Sequence, residues 1–283
     1  LQQPTIHEHV VLHYDQPMIK FFRKIRQKML TENKFSKYLI YAIGEIVLVV
    51  IGILIALQIN NYNETRKSRN LESEYIERLL EDLKEDEAIV QAVLNYQQEV
   101  TFHAKMAMEI FENIDGNSFN PVEKLINLYQ ASQILDPSPA SSTYKELIAS
   151  GQINLLEDDN LKTAMIRYYE IDWTETGVFK EVNQYRANIR GKMPDYIQTE
   201  IRSKCGDIYV KIRKSIEIAL PKTCEITVSP AVAQPIVDLI ITDDTLKKDL
   251  RFLLGNQDAK IQHLTNTNKQ LQELINLFES VLK

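Results

Sequence analysis

The side chains in this chain that could do chemistry are few and widely spaced. Glu99 and His103 stand one helical turn apart, a spacing at which a carboxylate and an imidazole can share a metal or a proton. A di-metal helical site needs a Glu-x-x-His pair on each of two helices, and no matching second pair follows here. Neither cysteine has a His or Cys at ligand spacing. The sequence therefore implies no metal and no other cofactor. The acidic run ERLLEDLKEDE, Glu77 to Glu87, reads as the solvated face of a helix. His7, His9 and His13 include a His-x-His pair but have no acidic or Cys ligands to complete a site, and His263 reads as a surface residue. Ser141 and Ser142 lack the G-x-S-x-G setting of a nucleophile elbow. LIASGQINLLEDD, Leu147 to Asp159, has one Gly and no following Lys, so it is not a phosphate loop. No catalytic motif remains, and an enzyme is not expected.

Three features call for a physical reason. Glu45 sits about eight residues into an apolar run, where a carboxylate is costly even when protonated. It would contact a partner helix, with Gly44 and Gly52 allowing close approach, or reach headgroup water at the near third of the membrane. Cys205 and Cys224 are the only cysteines. Either they form a disulfide, closing a loop of about 20 residues that contributes about 3 kcal/mol, or they are two separate buried thiols. Tyr168, Tyr169, Trp173 and Tyr185 would line a ligand pocket between helices or simply fill a core.

The elements around these residues are legible. The run Tyr38 to Ile59 holds 22 residues with Glu45 as its one ionisable side chain, and it reaches roughly 30 Å as a helix, the thickness of a bilayer's hydrocarbon core. Residues 1–17 carry a net charge of −2, residues 18–37 +6, the run −1 and residues 60–283 −9. The basic flank holds Lys20, Arg23, Lys24, Arg26 and Lys28, and it forms a basic amphipathic helix suited to anionic headgroups of the membrane lipid. The positive-inside rule puts that flank in the cytoplasm and residues 60–283 outside it, in the periplasm of a bacterial inner membrane. The apolar run is about twice the length of a signal-peptide core and has no A-x-A site after it, so it reads as an uncleaved signal anchor. Residues 1–17 read as a disordered upstream extension, with Met18 opening a natural-looking start. The acidic bulk argues against nucleic acid as a partner.

Residues 60–283 read as an all-α helical bundle with long coiled-coil-like helices and a small β-hairpin near 205–229. Residues 64–113 form one long helix, whose stripe of Ile76, Leu80, Leu83, Val90, Leu94, Ala104, Met108 and Phe111 keeps a 3/4 spacing. After the break at Asp115 to Pro121 a second helix runs to about Leu135. Thr143 and Glu146 would form a capping box for a short helix ending at Gly151. Asp158 or Asp159 caps a helix from Leu161 to about Arg190, closed by Gly191 and Pro194. IYVKI and CEITVS are the candidate strands. Leu250, Leu254, Gln257, Ile261, Leu264, Asn268, Leu271, Ile275, Phe278 and Leu282 form a heptad seam, which would pair with the first long helix of the same chain or with another chain.

Two blocks, NKFSKYLIYAIGEIVLVVIGILIALQINNYNETRK (Asn33 to Lys67) and TYKELIASGQINLLEDDNLKTAMIRYYE (Thr143 to Glu170), resemble the recurring segments of an uncharacterised family of single-pass membrane proteins from Bacteroidota-type bacteria. The resemblance implies an N-terminal anchor and a helical extracytoplasmic domain, and no activity, substrate or partner. The function expected is that of a membrane-anchored module acting through protein–protein contacts, as scaffold or accessory subunit, with an unknown membrane protein or a second copy as partner. The alternative is a ligand-sensing domain that signals through a partner.

Overall fold

The computed structural model describes residues 23, 24, 27, 35–112, 119–135, 137–212 and 215–282. They are mostly helical, with a two-stranded antiparallel hairpin. The chain divides into two units, Leu1–Ser68 and Arg69–Lys283. Helix α1 (Phe35–Glu112) contributes residues to both. It is followed by α2 (Pro121–Gln130), α3 (Ser142–Ala149), a 3-10 turn (Gln152–Leu155), α4 (Asp159–Glu170), α5 (Gly177–Lys180), α6 (Gln184–Lys192), α7 (Asp195–Cys205), β1 (Ile208–Ile212), β2 (Ser215–Ala219), α8 (Pro230–Ile241) and α9 (Asp244–Val281).

From Leu39 to Ile59, α1 is apolar all round but for Glu45 and Gln58. Large apolar side chains from Leu39 to Ile59 are between 46% and 71% exposed, and the six consecutive residues Ile46 to Ile51 are all exposed. A helix packed on a core keeps one polar face, and this stretch keeps none. Surface of that extent is not sustained in water. The segment is long and apolar enough to cross a membrane, and none of its most apolar window is buried. Among the described residues of the stretch, Tyr41, Ala42 and Glu45 alone are half-buried. Arg23 and Lys24 are helical and exposed. Lys20, Arg26, Lys28 and the extension 1–17 lie outside the described residues.

The second unit is built on the antiparallel pairing of α1 with α9. On α1, Leu79, Leu83, Asp86, Val90, Val93, Gln97, Val100, Ala104, Ala107 and Phe111 step by four and three and are all buried. On α9, Leu246, Leu250, Leu253, Gln257, Leu264, Thr267, Leu271, Leu274 and Phe278 do the same, with Lys260 at the skipped step. Lys84 donates to Glu279 at 2.6 Å and Arg251 to Glu112 at 3.4 Å. The two pairs are 28 residues apart on both helices, so the helices run antiparallel without slipping. Exposed ion pairs of this kind contribute little energy, and they mark the register rather than set it. The seam on α9 closes within the chain. It keeps the expected residues Leu250, Gln257, Leu264, Leu271, Ile275 and Phe278, but Leu253, Thr267 and Leu274 also turn inward, Leu254, Ile261 and Asn268 are half-buried, and Leu282 is exposed. The shift follows from α9 packing on α4, α5, α6 and α8 as well as on α1, which widens the buried face beyond a two-helix seam.

Two apolar cores lie along this pair. The first joins Tyr75 to Val100 of α1 with α3, α4, Trp173, Ile218, Leu220 and Leu264 to Phe278 of α9. The second joins Ala104 to Phe111 of α1 with α2, α6, α7, α8 and Leu246 to Leu253 of α9.

Local chemistry explains where several elements depart from expectation. Helix α2 starts on a capping box in which the Asn120 side chain accepts from the Val122 and Glu123 N–H groups and Glu123 returns the bond. It stops at Gln130 rather than near Leu135, because Arg186 takes the Ser132 carbonyl at 2.6 Å and the Ser132 hydroxyl donates to the Tyr129 carbonyl. The capping box of Thr143 and Glu146 does not form. Asp82 of α1 receives the Thr143 N–H at 2.8 Å and the Ser142 hydroxyl, while Glu146 pairs with Arg78 and Tyr75. Gly151 ends that helix with φ 71°, a conformation glycine adopts without strain. The helix expected from Leu161 to Arg190 is three helices. Asp158 caps α4, and the Asp172 carboxylate breaks the helix after it by accepting from the Thr174 N–H and hydroxyl. Gly191 lies inside α6. In the hairpin, IYVKI pairs with SIEIA (Ser215–Ala219), not with CEITVS. Ile218 buries its side chain in the first core, while the Thr227 N–H and hydroxyl turn to Glu200 of α7.

Candidate functional site

Asp86 occupies a seam position of α1 and is fully buried. Three segments supply donors to it. The Tyr168 hydroxyl from α4 donates to Oδ2, the Trp173 indole N–H points at the same oxygen from 3.4 Å, and the Ala140 N–H donates to Oδ1 at 3.4 Å. Burial pushes the Asp86 carboxyl up to about 6, even though all three hydrogen bonds pull the other way. The same burial, and then the neighbouring carboxylates, push the Tyr168 and Tyr169 phenols above their ordinary range. The Tyr169 ring stacks on Tyr144 with centroids 4.6 Å apart, and its buried hydroxyl has no hydrogen-bond partner among the described residues. His263 Nε2 lies 3.0 Å from the Trp173 carbonyl, which makes Nε2 the protonated nitrogen, and the ring packs against Phe179. His263 is therefore a half-buried tie to the Trp173 turn rather than a surface residue.

Tyr168, Tyr169 and Trp173 thus come together, and Tyr185 does not join them. Tyr185 is buried in the second core, with its hydroxyl on the Leu128 carbonyl at 2.9 Å. The recess between Asp86, Tyr144, Tyr168, Tyr169 and Trp173 encloses about 100 Å³. Organic ligands occupy roughly 300–1,000 Å³, so this space suits a few waters. Its chemical capacity is the proton that Asp86 can take up or release near neutral pH.

The other candidate residues are dispersed. Glu99 and His103 have separate partners: Glu99 accepts the Leu220 N–H at 2.6 Å, and His103 Nδ1 lies 2.8 Å from Asn127 Oδ1. The acidic run is not a uniformly solvated face, since Asp82 caps α3, Glu85 pairs with Lys211 and Asp86 is buried. The sulfurs of Cys205 and Cys224 are at bonding distance with their Cα atoms 5.3 Å apart, and this bridge encloses the whole hairpin. Cys205 is fully buried in the second core, where its carbonyl receives the Gln130 side chain. No group of three His, Cys, Asp or Glu side chains among the described residues could hold a metal. Asp86 was legible only through the 4-3 spacing that runs from Leu79 to Phe111; its acidic neighbours in sequence hid it.

No curated protein and no solved structure matches the chain. The second of the two recurring blocks and most of the first, from Glu45 onward, fall within residues 45–212. Over those residues, more than half of its length, the chain matches DUF6090, a family of unknown function, and it belongs to that family.

Proposed function

We propose that this chain is a single-pass protein of a bacterial inner membrane whose helical domain acts in the periplasm through protein contacts rather than catalysis. The observation that carries the reading is the all-round exposure of apolar side chains from Leu39 to Ile59, a surface that only lipid or another membrane helix would cover. The basic flank fits the cytoplasmic headgroup layer. A Cys205–Cys224 bridge fits an oxidising compartment. A partner helix would read the anchor beside Glu45, where Gly44 and Gly52 have open space around them for close approach. The domain would then serve as a scaffold or accessory subunit.

Topology is tested by labelling intact cells with a membrane-impermeant maleimide before and after an impermeant reductant. Label that appears only after reduction fits a periplasmic disulfide; label that appears only after lysis refutes it. Function is tested by in-cell crosslinking of the full chain followed by mass spectrometry. A defined membrane protein, captured by the native chain and lost with Glu45→Leu, fits an accessory subunit read through its anchor. Capture that Glu45→Leu leaves unchanged removes the anchor contact from the proposal.

A further inference from the structure

A cleft of about 640 Å³ opens in the second unit between α6, the segment before α3 and the middle of α9. Its walls carry Arg186, Arg190 and Lys260 together with the apolar side chains of Ile134, Leu135 and Phe179. The guanidinium groups are held by neutral acceptors. Arg186 donates to the Ser132 carbonyl at 2.6 Å, and Arg190 donates to the Ser132 hydroxyl at 3.0 Å and to the Gln133 side-chain oxygen at 2.8 Å. Arg190 also lies over the Tyr129 ring, 4.5 Å from its centroid. These contacts fix both side chains without neutralising their charge. Burial holds both guanidiniums below their ordinary range, a sign that they are partly desolvated.

Lys260 occupies a step of the seam that α9 otherwise fills with uncharged side chains. Its ammonium lies 5.6 Å from the centre of the Phe179 ring, and burial alone pulls its pKa down. A lysine at such a position costs stability unless a negative charge meets it. The acids nearby do not supply that charge in full. Glu181 lines the cleft and is exposed, Glu175 pairs with Lys180, and Asp207 accepts from the Tyr96 hydroxyl at 2.8 Å while lying close enough to be felt by both arginines.

We propose that this cleft binds a small organic anion, its carboxylate or phosphate group held by Arg186, Arg190 and Lys260 and its apolar portion laid against Phe179, Ile134 and Leu135. Two guanidiniums fixed in advance match an oxyanion that takes several hydrogen bonds at once. The volume suits one small molecule and leaves no room for a protein segment with its own fold. The inference does not depend on the topology or partner proposed above, because every residue involved belongs to the second unit.

The test is calorimetric titration of the full chain in neutral detergent with phenyl phosphate, benzoate and benzyl alcohol, and with inorganic phosphate as the headless anion. Saturable binding of phenyl phosphate or benzoate is expected, at least tenfold tighter than benzyl alcohol. Inorganic phosphate should bind more weakly than phenyl phosphate if the apolar wall contributes. The informative variant is Lys260→Met, which keeps the stem's packing and removes a charge that has no ion-pair partner among the described residues. It should melt at a higher temperature than the native chain without ligand, yet lose at least tenfold in affinity for the anions. No saturable heat with any anion, binding of benzyl alcohol equal to that of the anions, or equal anion affinity in native chain and variant would each overturn the proposal.

Discussion

The Asp86 carboxyl should make the fold's stability depend on pH in a direction opposite to that of most carboxylates. In the unfolded chain it releases its proton near 3.8; in the folded chain it keeps it up to about 6. Between those values the folded state binds more protons than the unfolded state, so stability falls as pH rises through the window. The difference of roughly two pKa units is worth about 3 kcal/mol, present in full below pH 3.8 and lost above pH 6. Asp86→Asn removes the titration while retaining an oxygen to accept from Tyr168. The assay is denaturant unfolding of the full chain in detergent at pH 4, 5, 6 and 7, followed through Trp173, the only tryptophan and a direct neighbour of Asp86. Other groups titrate nearby. His103 is held below its ordinary value by burial, and Glu146, Glu200 and Asp243 are held below theirs by hydrogen bonds, so all four lose stability as pH falls. They are common to both proteins and cancel in the difference between native and variant curves. That difference should change by roughly 2.4 kcal/mol from pH 4 to pH 7, with the native chain losing ground to the variant as pH rises. Parallel curves would refute the assignment of a shifted, buried acid.

Three further perturbations follow from the packing. Replacing Cys205 and Cys224 with Ser should cost about 3 kcal/mol by freeing the loop that holds the hairpin, read as a drop in denaturation midpoint that reductant reproduces in the native chain. Asp82→Ala should cost about 1 kcal/mol and loosen the start of α3, since it removes the side chain that receives the Thr143 N–H; amide exchange at Thr143 should quicken while that at Leu161, capped by its own Asp158, stays unchanged. Gly206→Ala should lower the melting temperature, because the added carbon would stand 2.5 Å from the Arg202 carbonyl oxygen at the end of α7, whereas Gly191→Ala, with open space around it, should not.

The long elements were legible because each carries a repeated signal. The apolar run announces itself over 22 residues, and α1 and α9 repeat a 4-3 spacing often enough to survive a polar residue in the seam. What the sequence hid depends on contacts between distant segments. Thr143 and Glu146 have capping-box spacing, but Asp82, some sixty residues earlier, takes the cap and Arg78 takes Glu146. CEITVS has strand composition, but its Thr227 is tied to Glu200, and the strand falls to SIEIA beside IYVKI. The helix from Leu161 onward has no Pro to break it; the Asp172 side chain does so by offering its oxygens to Thr174. Asp86 lies within a run of acids, and Lys260 stands seventy residues beyond the Arg186–Arg190 pair, too far in sequence to suggest that the three form a cluster.

Of the polar residues in the two seams, Gln97, Gln257 and Lys260 lie near the boundary between the cores, while Asp86 and Thr267 lie along the first core. The first core ends on α1 at Val100 and the second begins at Ala104; on α9 the boundary falls between Leu254 and Ile261. Gln97, Thr101 and His103 mark that boundary on one helix, and Gln257 and Lys260 mark it on the other. The side-chain oxygens of Gln97 and Gln257 are buried without a hydrogen-bond partner among the described residues, which a chain selected only for stability would replace with apolar groups. The cationic cleft opens beside this waist, with Lys260 belonging to both. A continuous apolar seam would fuse the two cores into one rigid rod, whereas a polar waist leaves a place where a bound anion can alter how the two cores are held together. Under the anion-binding proposal, this placement would couple occupancy of the cleft to the packing of the two cores. It also predicts that anion binding slows amide exchange around Gln97 and Gln257 more than around Leu79 or Leu250; uniform slowing along both helices would show that the waist is packing and nothing more.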